Sequence, residues 1–335
     1  MLAVCVRLLM EHKEVILEIK NLVKHYKLKK GLKFFHPQEV VHAVDGVSFP
    51  VYKGETLGLV GESGCGKSTL GRSILLLDEP NSGEVVYKGN DMLKMKPEAV
   101  RRIRKDYQII FQDPYASLNP RMKVRNIVAE PLLIHKTIPK RDIDDYVANL
   151  LETVGLNRSY INRYPHEFSG GQRQRIGIAR AIACEPSIVI CDEPISALDV
   201  SIQAQVLNLL MELQKKFQLT YLMISHDLSM VRYVSDRMIV MYLGVIVEMG
   251  ESDAVTNDPY HPYTEALLSA VPKPNPKIER ERQRILLKGD VPSPIKIPSG
   301  CRFHTRCHKA MPKCSEQMPE MKEISPGHYA ACLLY

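Results

Sequence analysis

The sequence predicts an α/β domain built on a largely parallel sheet, and two observations carry that prediction. Short apolar runs that read as buried strands, "TLGLV" (56–60), "YQIIF" (107–111), "SIVIC" (187–191) and "TYLMIS" (220–225), alternate with amphipathic helical stretches. The first run leads directly into "GESGCGKST" (61–69), which fits the G-x-x-x-x-G-K-S pattern of a phosphate-binding loop and is followed by the helical "LGRSILLL". In a sheet of this kind the ligand site lies at the carboxyl ends of the strands.

Taken in order, the chain starts with "MLAVCVRLLMEHKE", where Arg7 interrupts a short apolar run and charges follow at once. No small-residue cleavage site is present, so a signal peptide is not expected. No later stretch reaches the ~18 uninterrupted apolar residues of a spanning helix. The chain is therefore expected to stay in the cytosol, where clustered cysteines point to metal binding or catalysis rather than to disulfides. Its 335 residues, 45% apolar, suggest two domains at about 150 residues each. A composition shift near "VPKPNP" marks the boundary, because residues 271–335 hold 9 of the 22 prolines. The expected division is an extension at 1–14, a main domain at 15–270 with a helical part at about 115–180, and a small tail at 271–335.

The phosphate loop has a mechanism behind its pattern. Gly61, Gly64 and Gly66 let the backbone fold into a nest of N–H groups aimed at phosphate oxygens, and the helix that follows adds the positive end of its dipole. Ser63, Cys65 and Thr69 complete the nucleotide-contacting set. Lys67 should reach the β- and γ-phosphates, and Ser68 should offer its hydroxyl to Mg²⁺.

A metal-liganding aspartate is then required, and two look-alikes compete for it. "LLLDEP" (75–80) ends the helix that begins at the loop, so Asp78 and Glu79 read as a helix terminus. "IVICDEP" (188–194) completes a β-rich apolar run and puts Asp192 at a strand's carboxyl end, where it can hold the Mg²⁺ shell beside Ser68. Glu193, next to it, is placed to polarise the attacking water. Between the strands, "DIDDYVANLLETVG" carries Ile143, Val147, Leu150, Leu151 and Val154 on one helical face. "EFSGGQRQR" (167–175) opens another helix, a second anion site whose spacing keeps it from closing over the same nucleotide.

These motifs stand in one order: the loop at 61–69, Gln112 in "FQDP", "SGGQ" at 169–172, "CDEP" at 191–194, "SALD" at 196–199 and His226 in "SHD". In that order the chain resembles the nucleotide-binding subunit of ATP-binding-cassette transporters over roughly residues 15–270. The resemblance implies a RecA-like core with an antiparallel β subdomain and an α-helical subdomain. It also implies a head-to-tail dimer with a second such ATPase, identical or a paralogue, in which Ser169, Gly170, Gly171 and Gln172 bind ATP in trans. Gln112 would sense Mg²⁺ and the attacking water, His226 would hold the γ-phosphate, and Asp199 would contact the partner. Phe168 stands where the family's signature usually begins with Leu. Adenine should stack on an upstream aromatic, for which Tyr26, Phe34 and Phe35 are available and Tyr26 is favoured.

The tail narrows the family. "NDPYHPYTEALLSAVP" (257–272) and "GDVPSPIKIPSGCRFHTRC" are similar to the C-terminal extension of oligopeptide and dipeptide importers' ATP-binding subunits, a group that includes nickel importers. That similarity implies two transmembrane permease subunits, an extracytoplasmic peptide-binding protein acting through them, and a place on the cytoplasmic face of the membrane. Cys301, Cys307, Cys314 and Cys332 are spaced C-x5-C-x6-C-x17-C, which suits one metal site but lacks the C-x2-4-C knuckles of structural zinc. The group's resemblance to iron–sulfur proteins here implies a [4Fe–4S] cluster, with Zn²⁺ or unliganded thiols as alternatives. Cys5, Cys65, Cys184 and Cys191 are scattered and read as non-ligands.

Charge bears on the remaining alternative, a soluble cassette ATPase that works on nucleic acid or ribosomes. Net charge is +7, but 12 Lys/Arg against 6 Asp/Glu in 271–335 leave the body almost neutral. A body without a basic stripe argues against a nucleic-acid partner. Arg302, Arg306, Lys309 and Lys313 would offset a negative cluster. A proline-rich tail with little apolar material for a core of its own is expected to need a metal for folding and to leave hydrolysis by the rest of the chain untouched.

Overall fold

The structure, a computed structural model, describes residues 14–28, 39–272 and 284–335. Its strands are β1 (Val15–Lys27), β2 (Val40–Tyr52), β3 (Thr56–Val60), β4 (Ser82–Tyr87), β5 (Asn90–Asp91), β6 (Tyr107–Ile110), β7 (Ile188–Asp192), β8 (Thr220–Ser225), β9 (Arg237–Tyr242), β10 (Val245–Glu251), β11 (Lys322–Ser325) and β12 (His328–Ala330). The helices are α1 (Lys67–Ile74), α2 (Pro97–Ile103), α3 (Val124–His135), α4 (Ile143–Thr153), α5 (Gly170–Ile182), α6 (Val200–Phe217), α7 (Leu228–Val234), α8 (Ser252–Asn257) and α9 (Pro262–Ala270). The N-terminal extension before residue 14, Cys5, Phe34 and Phe35 lie outside the described residues. Among the described residues no helix is long and apolar enough to cross a membrane.

The chain divides into two compact units. One holds residues 14–16, 51–55 and 91–224. In it β6, β7 and β8 run parallel, with Tyr107 opposite Ile188 and Asp192 opposite Ile224. Every residue of β7 and β8 is buried, which is why both read as unbroken apolar runs rather than alternating ones. Helices α3, α4 and α5 pack on one another. The face α4 turns inward is the predicted one, with Ile143, Val147, Leu150 and Leu151 buried.

The other unit holds residues 17–50, 56–90 and 225–335. Here β3 lies parallel to β9, while β10 pairs antiparallel with both β9 and β12, and β12 pairs with β11. A second sheet has the order β2-β1-β4-β5, with β1 and β4 antiparallel. In this unit the tail packs against other elements. Phe303 is 1% exposed and stands edge-on to Tyr242 at 5.2 Å and tilted against Tyr263 at 5.3 Å. His328 and Ala330 of β12 are buried as well, and His328 Nε2 lies 2.8 Å from the fully buried Glu248 of β10. The tail lacks a core because it shares one with β9, β10 and α9.

Candidate nucleotide site

The loop between β3 and α1 needs its glycines for two separate reasons. Gly61, Gly64 and Gly66 have φ of 155°, 78° and 107°, values that side chains resist. At Gly66 an added Cβ would also lie 2.0 Å from the Ala43 carbonyl oxygen, and at Gly61 2.2 Å from that of Met241. Lys67 Nζ donates to the carbonyls of Gly61 (2.8 Å) and Glu62 (3.0 Å), so its ammonium lies back over the loop. Cys65 is buried and burial pushes its thiol pKa up, which leaves its backbone rather than its sulfur for a ligand.

Tyr26 is tied to the same element. Its hydroxyl donates to Asp78 Oδ2 at 2.9 Å, and burial followed by that bond raises its pKa while Thr69's side chain bonds it too. Asp78 also pairs with Arg72 Nε at 3.0 Å. The aspartate of "LLLDEP" is thus engaged in holding the end of α1, as its helix-terminus reading expects.

In the other unit, β7 ends on Asp192, which is 8% exposed, and the chain turns sharply at Glu193, whose φ is 45°. A left-handed non-glycine residue carries strain of roughly 1–3 kcal/mol that its surroundings must hold. Here the Glu193 N–H donates to the Ile224 carbonyl (3.0 Å), and its own carbonyl accepts from the Ser196 N–H (3.2 Å) and hydroxyl (3.1 Å). So fixed, the Glu193 carboxylate accepts a 2.8 Å hydrogen bond from Gln112 Nε2. Sequence reasoning named both residues but had no means of pairing them.

The "SGGQ" motif proves to be a helix start of a particular kind. Ser169 Oγ accepts from the Gln172 N–H (3.4 Å) while Gln172 Oε1 accepts from the Ser169 N–H (3.1 Å), a reciprocal capping box for α5. An added Cβ on Gly171 would come within 2.6 Å of Ile202 Cγ2 on α6. Gln174 Nε2 donates to the Pro194 carbonyl (2.7 Å), which ties α5 to the turn after β7. Phe168 is buried against the edge of Tyr160, so the Leu-to-Phe departure falls at a packed apolar position. Asp199 is the exposed N-cap residue of α6, and His226 is exposed at the start of α7's turn.

The four tail cysteines are unpaired, with Cys314 buried and Cys301, Cys307 and Cys332 half-buried. The Cys301 N–H donates to the Cys314 carbonyl (2.8 Å), and backbone N–H groups of Lys309 and Met311 point at the sulfurs of Cys307 (3.4 Å) and Cys314 (3.5 Å). Burial pushes the Cys301 thiol up to about 11 and raises Cys307 and Cys332, and in each case neighbouring tail sulfurs push further. The thiols are therefore electrostatic neighbours. Yet among the described residues no three of these sulfurs lie within 4.8 Å of one another. A tetrahedral zinc with Zn–S of ~2.3 Å would draw its thiolates to ~3.8 Å of one another.

The tail's cations are committed elsewhere than sequence reasoning placed them. Arg302 grips the Asp45 carboxylate and the Leu243 carbonyl (2.6 Å), Arg306 grips Glu62, and Lys309 Nζ meets Glu265 Oε1 at 2.5 Å. Three of the four charges assigned to a cluster thus answer carboxylates of the body. Asp45 also has His25 Nε2 at 3.2 Å and His42 Nδ1 at 3.7 Å, a trio able to hold a cation by distance. Burial would raise Asp45's pKa, but Arg302 and then His25 outweigh it and leave it lowered. With a guanidinium already on that carboxylate, the trio is an ion-pair network.

Comparison with known proteins agrees with the family that the motifs point to. A family model described as "ABC transporter" matches residues 44–196, and one described as "Oligopeptide/dipeptide transporter, C-terminal region" matches 247–314. The chain is 53% identical over 325 residues to the oligopeptide transport ATP-binding protein AppF of Bacillus subtilis, covering 97% of this chain and 98% of that one. It is 50% identical over 317 residues to the dipeptide transport ATP-binding protein DppF of Escherichia coli, covering 95% and 93%. Among solved structures, a dimeric post-hydrolysis state of the ATP-binding cassette MJ0796 bound to ADP and Pi aligns with a TM-score of 0.62 at 28% identity, covering 70% of this chain and 98% of that one.

Proposed function

The chain belongs to the ATP-binding proteins of oligopeptide and dipeptide ABC transporters, and from that membership we propose which of its residues perform each step. It hydrolyses ATP, and hydrolysis energises peptide uptake through a membrane importer. Gly61, Ser63, Gly64, Cys65, Gly66 and Thr69 take the phosphates through the loop and the start of α1, and Lys67 follows the β- and γ-phosphates. Ser68, Gln112 and Asp192 serve Mg²⁺, and Tyr26 stacks on adenine. Glu193 orients the attacking water and His226 holds the γ-phosphate. Ser169, Gly170, Gly171 and Gln172 meet ATP bound by a second subunit, with Asp199 at that interface. Two permease subunits hold the pair at the cytoplasmic face of the membrane, and an external binding protein supplies the peptide. Cys301, Cys307, Cys314 and Cys332 hold a [4Fe–4S] cluster, which would supply a cross-link to the tail.

The observation that carries the hydrolytic reading is the 2.8 Å bond between Gln112 and a strained Glu193 beside Asp192. The test is the assembled importer in vesicles, with parent or Glu193→Gln subunit. Parent should accumulate a dipeptide or oligopeptide only with ATP. The variant should bind Mg-ATP normally while turnover falls by at least ~100-fold, because the metal ligand remains and the water-orienting group is gone. Turnover close to parent would remove Glu193 from its role.

A further inference from the structure

Glu62 is the second residue of the phosphate loop, and a carboxylate there opposes the binding of a polyphosphate by like-charge repulsion. Its main chain is fixed on both sides, with its N–H donating to Tyr263 Oη (2.9 Å) and its carbonyl accepting from Lys67 Nζ (3.0 Å). Its side chain is held from the tail. Arg306 NH1 donates to Oε2 at 2.7 Å and NH2 to Oε1 at 3.1 Å, a two-pronged, charge-assisted pair. The Arg306 side chain is 8% exposed and that of Glu62 25%, so water screens this pair only in part.

The segment that delivers Arg306 has little slack. The Arg306 N–H donates to the Phe303 carbonyl at 3.0 Å, and Phe303 is seated against Tyr242 and Tyr263. Arg302 anchors the same turn to Asp45 and Leu243, and the Cys301 N–H closes it onto the Cys314 carbonyl. Arg306 itself directly precedes Cys307. Whatever fixes the cysteine-bearing turn therefore also fixes a positive charge on the phosphate loop.

We propose that Arg306 is a positioning residue for nucleotide binding: by neutralising Glu62 it makes the loop's affinity for ATP depend on the seating of the 301–314 segment. This rests on the phosphate-loop reading above and adds to it a route from the tail to the nucleotide. With Arg306 removed, the Glu62 carboxylate stays in place and repels the incoming phosphates. The defect is expected in binding, since the uncompensated charge acts on the bound phosphates before and during the transfer alike.

The test is equilibrium binding of a fluorescent ATP analogue with Mg²⁺ to the full-length chain, compared among parent, Arg306→Ala, Arg306→Lys, Cys307→Ser, and the first and last combined with Glu62→Gln. Arg306→Ala should weaken binding by about tenfold, more at low salt than at high salt, and kcat should stay near parent once ATP is saturating. Arg306→Lys, which keeps charge but loses the fork, should fall between. Cys307→Ser should weaken binding likewise. The decisive arm is Glu62→Gln in either background, which should return affinity to within about threefold of parent because the uncompensated charge is gone. Loss that Glu62→Gln does not restore would mean unseated packing rather than charge and would overturn the proposal, as would parent-like binding by Arg306→Ala or Cys307→Ser. A parent chain that fails to bind the analogue would instead bring down the phosphate-loop reading itself.

Discussion

His261 is 1% exposed, and its Nδ1 accepts the Tyr263 N–H at 3.1 Å, so the ring caps α9 as a neutral base. Burial lowers its pKa to about 3. An unfolded histidine titrates near ~6.5, so below that pH the unfolded chain takes up a proton that the folded chain refuses until about pH 3. The contribution of this residue to stability is whole above ~6.5 and drains at about 1.4 kcal/mol per pH unit as acid is added. Asparagine can accept the same backbone bond without titrating. His261→Asn should therefore reduce the pH slope of stability by one proton, read from denaturant midpoints between about pH 7 and pH 5. A slope equal to parent's would show that the proton goes elsewhere.

At the level of elements, α5 and α6 meet where Gly171 leaves no room, since a Cβ would sit 2.6 Å from Ile202 Cγ2. Isoleucine is stiff at χ1 and cannot swing clear, so Gly171→Ala should cost about 1–3 kcal/mol of stability by overpacking. Adding Ile202→Ala should recover most of that loss in the same unfolding measurement; no recovery would place the strain in the backbone. Much of the element plan was legible: unbroken apolar runs marked β3, β7 and β8, and the face of α4 followed from Ile143, Val147, Leu150 and Leu151. Serine followed three positions later by glutamine also announces a capping box, a signal overshadowed by the glycines between them. What could not be read were partners far apart in sequence. Arg306 lies 244 positions from Glu62, and nothing local in "CRFHTRC" says that its arginines face carboxylates while Phe303 enters an aromatic cluster on β9 and α9.

For the whole molecule, the four tail sulfurs give a compositional test. Protein purified without oxygen should be brown and contain about four irons and four sulfides per chain, and Cys307→Ser should bleach it. A colourless preparation with one zinc would overturn the cluster. The same tail supplies β12, which pairs Glu248 with Ala330 and Met249 with Tyr329 along β10. During synthesis β10 leaves the ribosome long before β12 exists, and in that interval its backbone donors and acceptors form an open edge able to recruit any extended neighbour. A crowded polysome, with many copies at that same stage, is where such an edge is most dangerous. The tail thus also acts as the sheet's late-arriving selvedge, and premature stop codons upstream of β12 would yield chains that are sticky as well as short.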